Sequence, residues 1–458
     1  MCRVRRAIMR MIRLDFFNMN AEEQTKRWIE QDLMHCWHPF TPQALWGREA
    51  EVIMLQSGQG VWLTDSLGRR YIDGNSSIWV NIHGHGHPHI VRAIQQQANT
   101  LCHSSYLGFG HGLASELATR LVALFPENSL TRVFFSDDGS TAVESALKMA
   151  FQSCSQTPGR EQRRHFVAFS NCYHGDTMGA ASLGGVSTFF SRFRGFGIEV
   201  KHVRDMAELR ALPQDFLQSV AGIVIEPGIQ GVNRMTPWPK GLLRELRAFC
   251  DAQGIFLICD EVMTGFGRTG KMFACMHEDV TPDFLCCAKG LTGGYTPMAA
   301  CLTTEAVYES FLGTYSENKS FYYGHSFTAH PIGCAAALAG LDVFEQEHVL
   351  ENLPPKIALM AELGEALAQR CVHVTAVRQC GMVMGIDIAR ADGSPYEQDA
   401  RAGERACMAM RRYGLLTRPV THDTLVLMPP LCISEDELRL AFRALEAGIR
   451  EALVGDLA

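Results

Sequence analysis

Short apolar runs that alternate with amphipathic stretches constrain the fold of this chain more than any other sequence feature. The amphipathic stretches have helical periodicity, as in Ser140–Phe151 and Gly241–Ala252. Such alternation predicts an α/β fold with a large, mostly parallel sheet wrapped by helices. The predicted strands are Arg132–Phe135, His165–Phe169, Ala221–Ile225, Ile255–Cys259 and Asp283–Cys287.

The two ends of the chain differ from this core. Near the N-terminus, residues 60–65 and 69–72 are separated by Ser66-Leu67-Gly68, which predicts a hairpin. After about Leu341 the pattern becomes mixed. The elements predicted there are helices near Pro355–Arg370 and Asp399–Tyr413, strands at Gly381–Ile386 and Thr424–Leu427, and a last helix from Glu435. We expect both ends to pack together as one discontinuous α+β domain.

The length of the chain indicates two domains, because 458 residues exceed what one hydrophobic core usually supports. The predicted boundaries are a disordered extension at 1–18, the N-terminal part of a small domain at 19–80, a large domain at 81–340, and the C-terminal part of the small domain at 341–458. Residues 1–18 carry five arginines and one acid but no apolar segment followed by a cleavage site. An upstream start codon, with Met19 as the true start, fits them as well.

Composition excludes several classes of protein. The formal charge of −7 argues against nucleic acid as a partner, since phosphate binding needs a basic face. No apolar run approaches the ~18 residues that span a bilayer. The 16 cysteines form no CxxC pair, and Cys286 and Cys287 are adjacent. We therefore expect buried, reduced thiols in a cytoplasmic protein.

The segment 256–294 carries the strongest chemical signal, with the sequence FLICDEVMTGFGRTGKMFACMHEDVTPDFLCCAKGLTGG. An apolar strand delivers Asp260 to its carboxyl end, where open α/β sheets place ligands. A second apolar run ends at Lys289, and desolvation there lowers the pKa of the amine and makes it nucleophilic. A nucleophilic lysine and an aspartate that pairs with a protonated ring nitrogen suit pyridoxal-phosphate chemistry. Taken alone, these two residues also fit a surface lysine and a capping aspartate.

A second segment, 134–144, reads FFSDDGSTAVE and predicts a strand, a glycine turn and a helix start. Free N–H groups at a helix N-terminus, together with the hydroxyl of Ser140, suit a phosphate dianion. Serine is also a common N-cap, so Gly139-Ser140 by itself is a weak signal.

The run DEVMTGFGRTGKMFACMHEDVTPDFLCCAKGLTGG resembles the signature of the class III, fold-type I aminotransferases, and the resemblance extends from about His35 over nearly the whole chain. It implies that Lys289 binds pyridoxal 5'-phosphate as a Schiff base and that Asp260 binds the pyridinium nitrogen. It also implies that Gly139 and Ser140 hold the cofactor phosphate and that Tyr173, in NCYHGDT, stacks on the ring.

The segment Tyr323-Gly324-His325-Ser326-Phe327 resembles a loop of the same family that reaches the cofactor phosphate of the other subunit. It implies that His325 and Ser326 belong to the cofactor site, and that the protein is a homodimer with shared active sites.

Further segments resemble the biotin-biosynthesis branch of this family, which transaminates 8-amino-7-oxononanoate to 7,8-diaminononanoate. They are CWHPFT at 36–41, GNSSIW at 74–79 and LTRP at 416–419. A long-chain keto acid needs a fixed cation at one end of an apolar slot, and guanidinium binds carboxylate bidentately. The expected substrate-binding residues are Phe40, Trp79, Tyr173, Gly324 and Arg418.

The resemblance leaves some alternatives open. The amino donor is S-adenosylmethionine or L-lysine, because relatives that use lysine share some of these segments. Within the family, the rival is an ω-amino acid:pyruvate aminotransferase. Outside it, a cofactor-binding regulator would require a DNA-binding domain, for which the chain has neither the length nor the basic charge.

Two motifs imitate other sites. The histidines of His83-Gly84-His85-Gly86-His87-Pro88-His89 are interrupted by glycine and proline with no nearby carboxylate or thiolate, so we expect no metal there. The glycine-rich run 265–270 does not follow a strand directly and lacks the lysine of a nucleotide loop. Its Arg268 is expected at the surface or behind the active site.

Overall fold

The computed structural model describes residues 19–49, 51–186, 190–193 and 195–454, so the predicted extension at 1–18 lies outside the described residues. The strands are β1 Leu55–Gln59, β2 Trp62–Asp65, β3 Arg70–Asp73, β4 Arg132–Ser136, β5 His165–Phe169, β6 Val200–Val203, β7 Val220–Ile225, β8 Ile229–Gln230, β9 Thr236–Pro237, β10 Phe256–Asp260, β11 Phe284–Cys287, β12 Ala299–Thr303, β13 Val374–Cys380, β14 Val383–Ile388, β15 Leu415–Leu416, β16 Pro419–Val420 and β17 Thr424–Leu427.

Helices pack on both faces of the central sheet and on the smaller sheets. They are α1 Ala21–His35, α2 Ser76–Trp79, α3 Pro88–Thr100, α4 Gly112–Val122, α5 Gly139–Gln156, α6 Met178–Leu183, α7 Met206–Arg210, α8 Gln214–Gln218, α9 Leu242–Gln253, α10 Glu305–Glu309, α11 Pro331–Gln346, α12 Leu353–Arg370, α13 Ala402–Met410 and α14 Glu435–Leu453. Among the described residues, none of these helices is long and apolar enough to cross a membrane.

The core of the molecule is a seven-stranded sheet in the order β4-β12-β11-β10-β7-β5-β6. The strands from β11 to β6 pair in parallel, whereas β12 is antiparallel to both of its neighbours. Strands β7 and β10 are buried along their whole length, as expected for a sheet covered on both faces. The α/β fold is confirmed, and the five predicted strands begin and end within one residue of the observed ones.

The N-terminal and C-terminal segments meet in a second sheet of order β1-β2-β3-β15. The predicted hairpin is present as β2 and β3, and β15 pairs in parallel with β3. A third sheet, β13-β14-β17-β16, packs against α12 through β13 and against α13 through β16 and β17. The two ends therefore share hydrogen bonds and a core, while the boundaries at residues 80 and 340 stay predictions.

Backbone conformation explains why two elements of the C-terminal region begin later in the chain than predicted. The strand predicted from Gly381 begins two residues later, because Gly381 has φ +60° and forms the turn between β13 and β14. The helix predicted from Asp399 begins at Ala402, after Arg401 with φ +48°. The last helix begins at Glu435 as predicted, since Ser434 and Glu437 form a capping box.

Candidate active site

Carboxyl ends of neighbouring strands bring the chemically active side chains together. Asp260 is the last residue of β10, Glu226 follows β7, and Lys289 follows β11 after one residue. Strands β7, β10 and β11 are parallel neighbours, so all three side chains emerge at one edge of the sheet. This edge carries the candidate site.

A cavity of about 390 Å³ opens at this edge. The cavity lies between the carboxyl ends of β7 and β10, the residues after β11, the start of α5, the loop after β5 and the short helix α2. Its lining is Trp79, Asp138, Gly139, Ser140, Tyr173, His174, Gly175, Asp176, Thr177, Glu226, Asp260, Val262, Met263, Thr264 and Lys289. One cavity therefore contains six residues that the sequence predicts for the site: Lys289, Asp260, Gly139, Ser140, Tyr173 and Trp79.

The amine of Lys289 lies in the cavity beside the ring of Trp79. Burial lowers the pKa of Lys289 to about 8, although the carboxylates of Asp260 and Glu226 oppose the shift. Its Nζ lies 5.0 Å from the centroid of the Trp79 ring. The backbone of Lys289 has φ +46°, a conformation rare for a residue with a Cβ atom and often found at functional sites. The predicted lowering of this pKa by desolvation is confirmed.

The carboxylate of Asp260 is held by two hydrogen bonds. Its Oδ2 lies 2.8 Å from Nδ1 of the buried His174, and its Oδ1 accepts from the backbone N–H of Val262 at 3.1 Å. Burial by itself lowers the pKa of His174, but the neighbouring Cys172 and Asp260 side chains outweigh it and raise that pKa. The ring of His174 and the N–H of Val262 thus fix the orientation of the Asp260 carboxylate in the cavity.

Glu226 is a second buried carboxyl in the cavity wall. It accepts hydrogen bonds from the N–H groups of Tyr173 at 3.1 Å and Gly231 at 3.0 Å. Burial raises the pKa of Glu226 to about 7, and the positive charge of His174 limits the rise. Glu226 thereby ties the loop that carries Tyr173 to the end of β7.

The N-terminus of α5 closes the other side of the cavity. Asp138 caps this helix by accepting from the N–H of Thr141 at 3.0 Å, which leaves the N–H groups of Gly139 and Ser140 at the helix end. A Cβ atom on Gly139 would lie 2.5 Å from Val262, and one on Gly175 would lie 2.3 Å from Ser140 Oγ. The close packing leaves no room for a side chain at Gly139 or Gly175. The backbone N–H groups at the start of α5 are therefore accessible to an anion.

Trp79 is fixed over Lys289 by contacts that span the chain. Its Nε1 donates to Asn75 Oδ1 at 2.9 Å, and Ser76 Oγ donates to the carbonyl of Met428 at 2.7 Å. Arg268 donates to the same Ser76 hydroxyl and to the carbonyl of Pro429. The segment around α2 thus joins the large sheet to the C-terminal segment.

The expectation that Arg268 could lie at the surface is wrong. Its side chain is fully buried, and burial lowers its pKa to about 9. A buried guanidinium is tolerated because carbonyl and hydroxyl oxygens accept from it. The positive charge of Arg268 also helps to lower the pKa of Lys289.

Other residues predicted for the site lie outside the lining of this cavity. Phe40 is 55% exposed, and Gly324 and Ser326 are exposed as well. His325 contacts Asp137 Oδ2 through Nδ1 at 2.9 Å, one residue before the cap of α5. Arg418 lies between β15 and β16 and has no acidic partner among the described residues.

The histidines of the 83–89 segment each have a separate environment. His83 packs edge-on against Phe344, with ring centroids 4.7 Å apart, while His85 contacts Asp73. His87 and His89 contact Glu347 and Asp342. Within the described ranges, no group of three or more potential ligands is arranged to hold a metal ion.

Two residues of the cavity, His174 and Glu226, and the complete burial of Arg268 were not predicted from the sequence. His174 follows Tyr173 directly, and Glu226 follows the predicted strand 221–225 directly. The rule that selected Asp260, a polar residue at the carboxyl end of a strand, would have selected Glu226.

Fold and site together define a fold-type I pyridoxal-phosphate enzyme. The chain belongs to the class III aminotransferases, because the model of that family matches residues 46–449. The residues present fit the cofactor of this family: the cavity offers a lysine amine of lowered pKa, a carboxylate fixed by histidine, and a tight helix N-terminus for a phosphate.

Similar proteins are known from several organisms. The adenosylmethionine-8-amino-7-oxononanoate aminotransferase of Nitratidesulfovibrio vulgaris is 43% identical over 94% of this chain and 82% of its own length. A crystal structure of the enzyme of that name from Methanocaldococcus jannaschii has a TM-score of 0.90 and 38% identity, covering 93% of this chain and 99% of that chain. An (S)-enantioselective omega-transaminase from Thermomicrobium roseum has a TM-score of 0.84 and 29% identity, covering 93% and 99%.

Proposed function

We propose that this protein transfers an amino group from S-adenosylmethionine to the 7-keto group of 8-amino-7-oxononanoate, which gives 7,8-diaminononanoate in biotin biosynthesis. The similarity to relatives of that name, at up to 43% identity over most of the chain, is the observation that carries this proposal. The names of the same relatives favour adenosylmethionine over L-lysine as the donor.

The chain's own residues have distinct roles in this reaction. Pyridoxal phosphate, when bound, supplies an electron sink for the carbon that exchanges its amino group. Lys289 would attach the cofactor, and its neutral Nζ would accept and return the proton that moves during the transfer. Asp260 would hold the ring nitrogen protonated, with His174 fixing the position of its carboxylate.

The remaining cavity residues orient the cofactor and exclude water. The N–H groups of Gly139 and Ser140 and the hydroxyl of Ser140 would hold the phosphate. Tyr173 would stack on the ring, since Glu226 and Asp176 fix its backbone and its hydroxyl. Trp79 shields the amine of Lys289 from solvent.

An apolar cluster leads from the cavity toward Arg418. It contains Trp79 and Met263, which line the cavity, together with Val426 and Met428. The backbone N–H of Val426 approaches the carbonyl of Arg418 at 3.4 Å. An arginine whose backbone borders this apolar cluster suits a substrate with a carboxylate at one end of a hydrocarbon chain. We assign Arg418 to the carboxylate of the keto acid, with Phe40 and Gly324 as further substrate contacts.

We also infer that the protein acts as a cytoplasmic homodimer. The segment before α4 exposes Leu107 and Phe109 by 78% and 70%. It meets the loop with Gly324, His325 and Ser326 through His103 and Phe327, whose tilted rings have centroids 4.8 Å apart. Apolar side chains exposed together are typical of an interface. Sedimentation should give twice the mass of the chain, and Phe109→Glu should lower the measured mass.

The proposed cytoplasmic location rests on the cysteines. The fifteen described cysteines are unpaired, which suits a reducing compartment.

Separate half-reactions test the proposed substrates. The cofactor-loaded protein receives S-adenosylmethionine or L-lysine, and absorbance follows conversion of the cofactor to its amine form. 8-Amino-7-oxononanoate, pyruvate or 2-oxoglutarate is then added to reverse the change. Reversal by 8-amino-7-oxononanoate supports the proposal, and the productive donor identifies the amino source. Reversal by pyruvate or 2-oxoglutarate alone would favour an ω-amino acid aminotransferase instead.

A further inference from the structure

A second cavity, of about 620 Å³, lies where the sheet β1-β2-β3-β15 meets α13 and α14. It shares no lining residue with the active-site cavity. We call it the arginine cavity, because its lining includes five arginines: Arg69, Arg70, Arg405, Arg411 and Arg412.

The acidic residues of the arginine cavity are already engaged. Both carboxylate oxygens of Glu51 accept from Arg69 at 2.9 Å. Glu49 pairs with Arg401, which lies outside the lining. Arg412 likewise pairs with Glu451, which lies outside the lining. The other three arginines of the lining, Arg70, Arg405 and Arg411, form no ion pair within the described ranges, so the lining keeps an excess of positive charge.

Arg411 carries the strongest argument for a ligand. Its side chain is half-buried, and its Nη1 donates to the backbone carbonyl of Glu51 at 3.2 Å. Within the described part of the chain it has no carboxylate partner, and burial lowers its pKa. The acidic side chain that acts on Arg411 is Glu51, which Arg69 already binds with both carboxylate oxygens. An anion in the cavity would give this half-buried guanidinium a direct partner.

Two more arginines of the lining, Arg70 and Arg405, are exposed and have no carboxylate partner among the described residues, so they could donate to a bound anion. Arg70 lies over the Trp62 ring at 4.6 Å, which restrains its guanidinium, and Arg405 has no acidic partner in the described ranges. Ile53, Met408 and Ala409 give the lining apolar surface between these cations. Cations spread around an apolar centre suit a ligand with more than one anionic group.

We propose that the arginine cavity binds a small polyanion that carries at least two phosphate or carboxylate groups. Guanidinium groups of Arg70, Arg405 and Arg411 would each donate to its oxygens, in the paired geometry that phosphate and carboxylate both accept. The proposal does not depend on the substrates of the active site.

Calorimetric titration of the cofactor-loaded protein with pyrophosphate and with citrate tests the proposal and separates the two anion chemistries. We expect one of them to bind with one site per chain, and more weakly as salt rises. Arg405→Gln and Arg411→Gln should each raise its Kd about tenfold, as expected for loss of a charge-assisted hydrogen bond. Arg439→Gln is the matched control, because Arg439 is exposed on α14 outside the lining.

The result that would overturn the proposal is absence of binding by both anions, or a Kd that Arg405→Gln and Arg411→Gln leave unchanged. Circular dichroism checks that each variant is folded. Because Arg411 is half-buried, Arg70→Gln provides a second exposed substitution for the same test. A Kd raised equally by Arg439→Gln would indicate attraction to the general charge of the domain and would also contradict a specific site.

Discussion

The two ends of the proposed active site are built differently. At the cofactor end, Asp260 is the last residue of one buried parallel strand and Lys289 follows its neighbour, and His174 fixes the carboxylate at 2.8 Å. At the substrate end, Phe40 is exposed, and Arg418 lies between two-residue strands without an acidic partner among the described residues. The proposed catalytic groups are therefore fixed by strand pairing and a hydrogen bond within one chain, whereas the proposed recognition groups at the substrate end lie on segments outside the lining of the cavity.

Removal of the lysine amine should produce the largest effect at the cofactor end. Lys289→Ala removes both the attachment point and the proton carrier, so transamination should fall by at least about 10³-fold. Steady-state turnover and the absorbance of the bound cofactor measure this. Lys201→Ala, at an exposed position on β6, should keep wild-type turnover. Turnover of Lys289→Ala within tenfold of wild type would disprove the assignment.

Loss of the carboxylate charge should have the next largest effect. Asp260→Asn keeps the shape of the side chain but cannot hold a ring nitrogen protonated, so kcat should fall by about 10²-fold to 10³-fold. Stopped-flow measurement of the donor half-reaction isolates this step. Asp251→Asn, at an exposed aspartate paired with Arg247, is the control. A change below threefold would show that Asp260 serves only the fold.

This difference between the two ends also decides what the sequence could predict. A lysine or an aspartate at a strand end is specified locally, by an apolar run and the residue that follows it, so the placement of Asp260 and Lys289 follows from pattern alone. The partnership of His174 with Asp260 joins residues 86 positions apart, and no local pattern encodes that distance.

Long-range packing explains the other residues that the sequence did not reveal. Arg268 stands in a glycine-rich loop typical of a surface, yet it bonds to Pro429, which is 161 positions away. Strand β12 is antiparallel within an otherwise parallel sheet, which its apolar sequence does not distinguish. Tertiary contacts, rather than local propensity, determine these features.

Substitution at the substrate end should change recognition without changing the chemistry. Arg418→Met removes the proposed partner of the substrate carboxylate, so KM for 8-amino-7-oxononanoate should rise about 10-fold to 100-fold, as expected for a charge-assisted hydrogen bond. The donor half-reaction should keep its rate. Arg443→Met, at an exposed position on α14, provides the control. An unchanged KM, or an equal loss in the donor half-reaction, would place Arg418 outside the recognition of the keto acid.

The smallest effect, a shift in pH dependence, separates the two ends most sharply. Because burial lowers the pKa of Lys289 to about 8, the cofactor-free protein should capture pyridoxal phosphate at a rate that rises with pH around a midpoint near 8. Asp260 raises this pKa, so Asp260→Asn should move the midpoint to lower pH. Arg418→Met should leave the midpoint in place, since the charges with the largest effect on Lys289 are Asp260, Glu226, Arg268 and Asp176. A midpoint near 10.5 would mean that the amine is solvated. An equal shift in both variants would mean that the charge of Arg418 affects the pKa of Lys289 as strongly as the charge of Asp260 does.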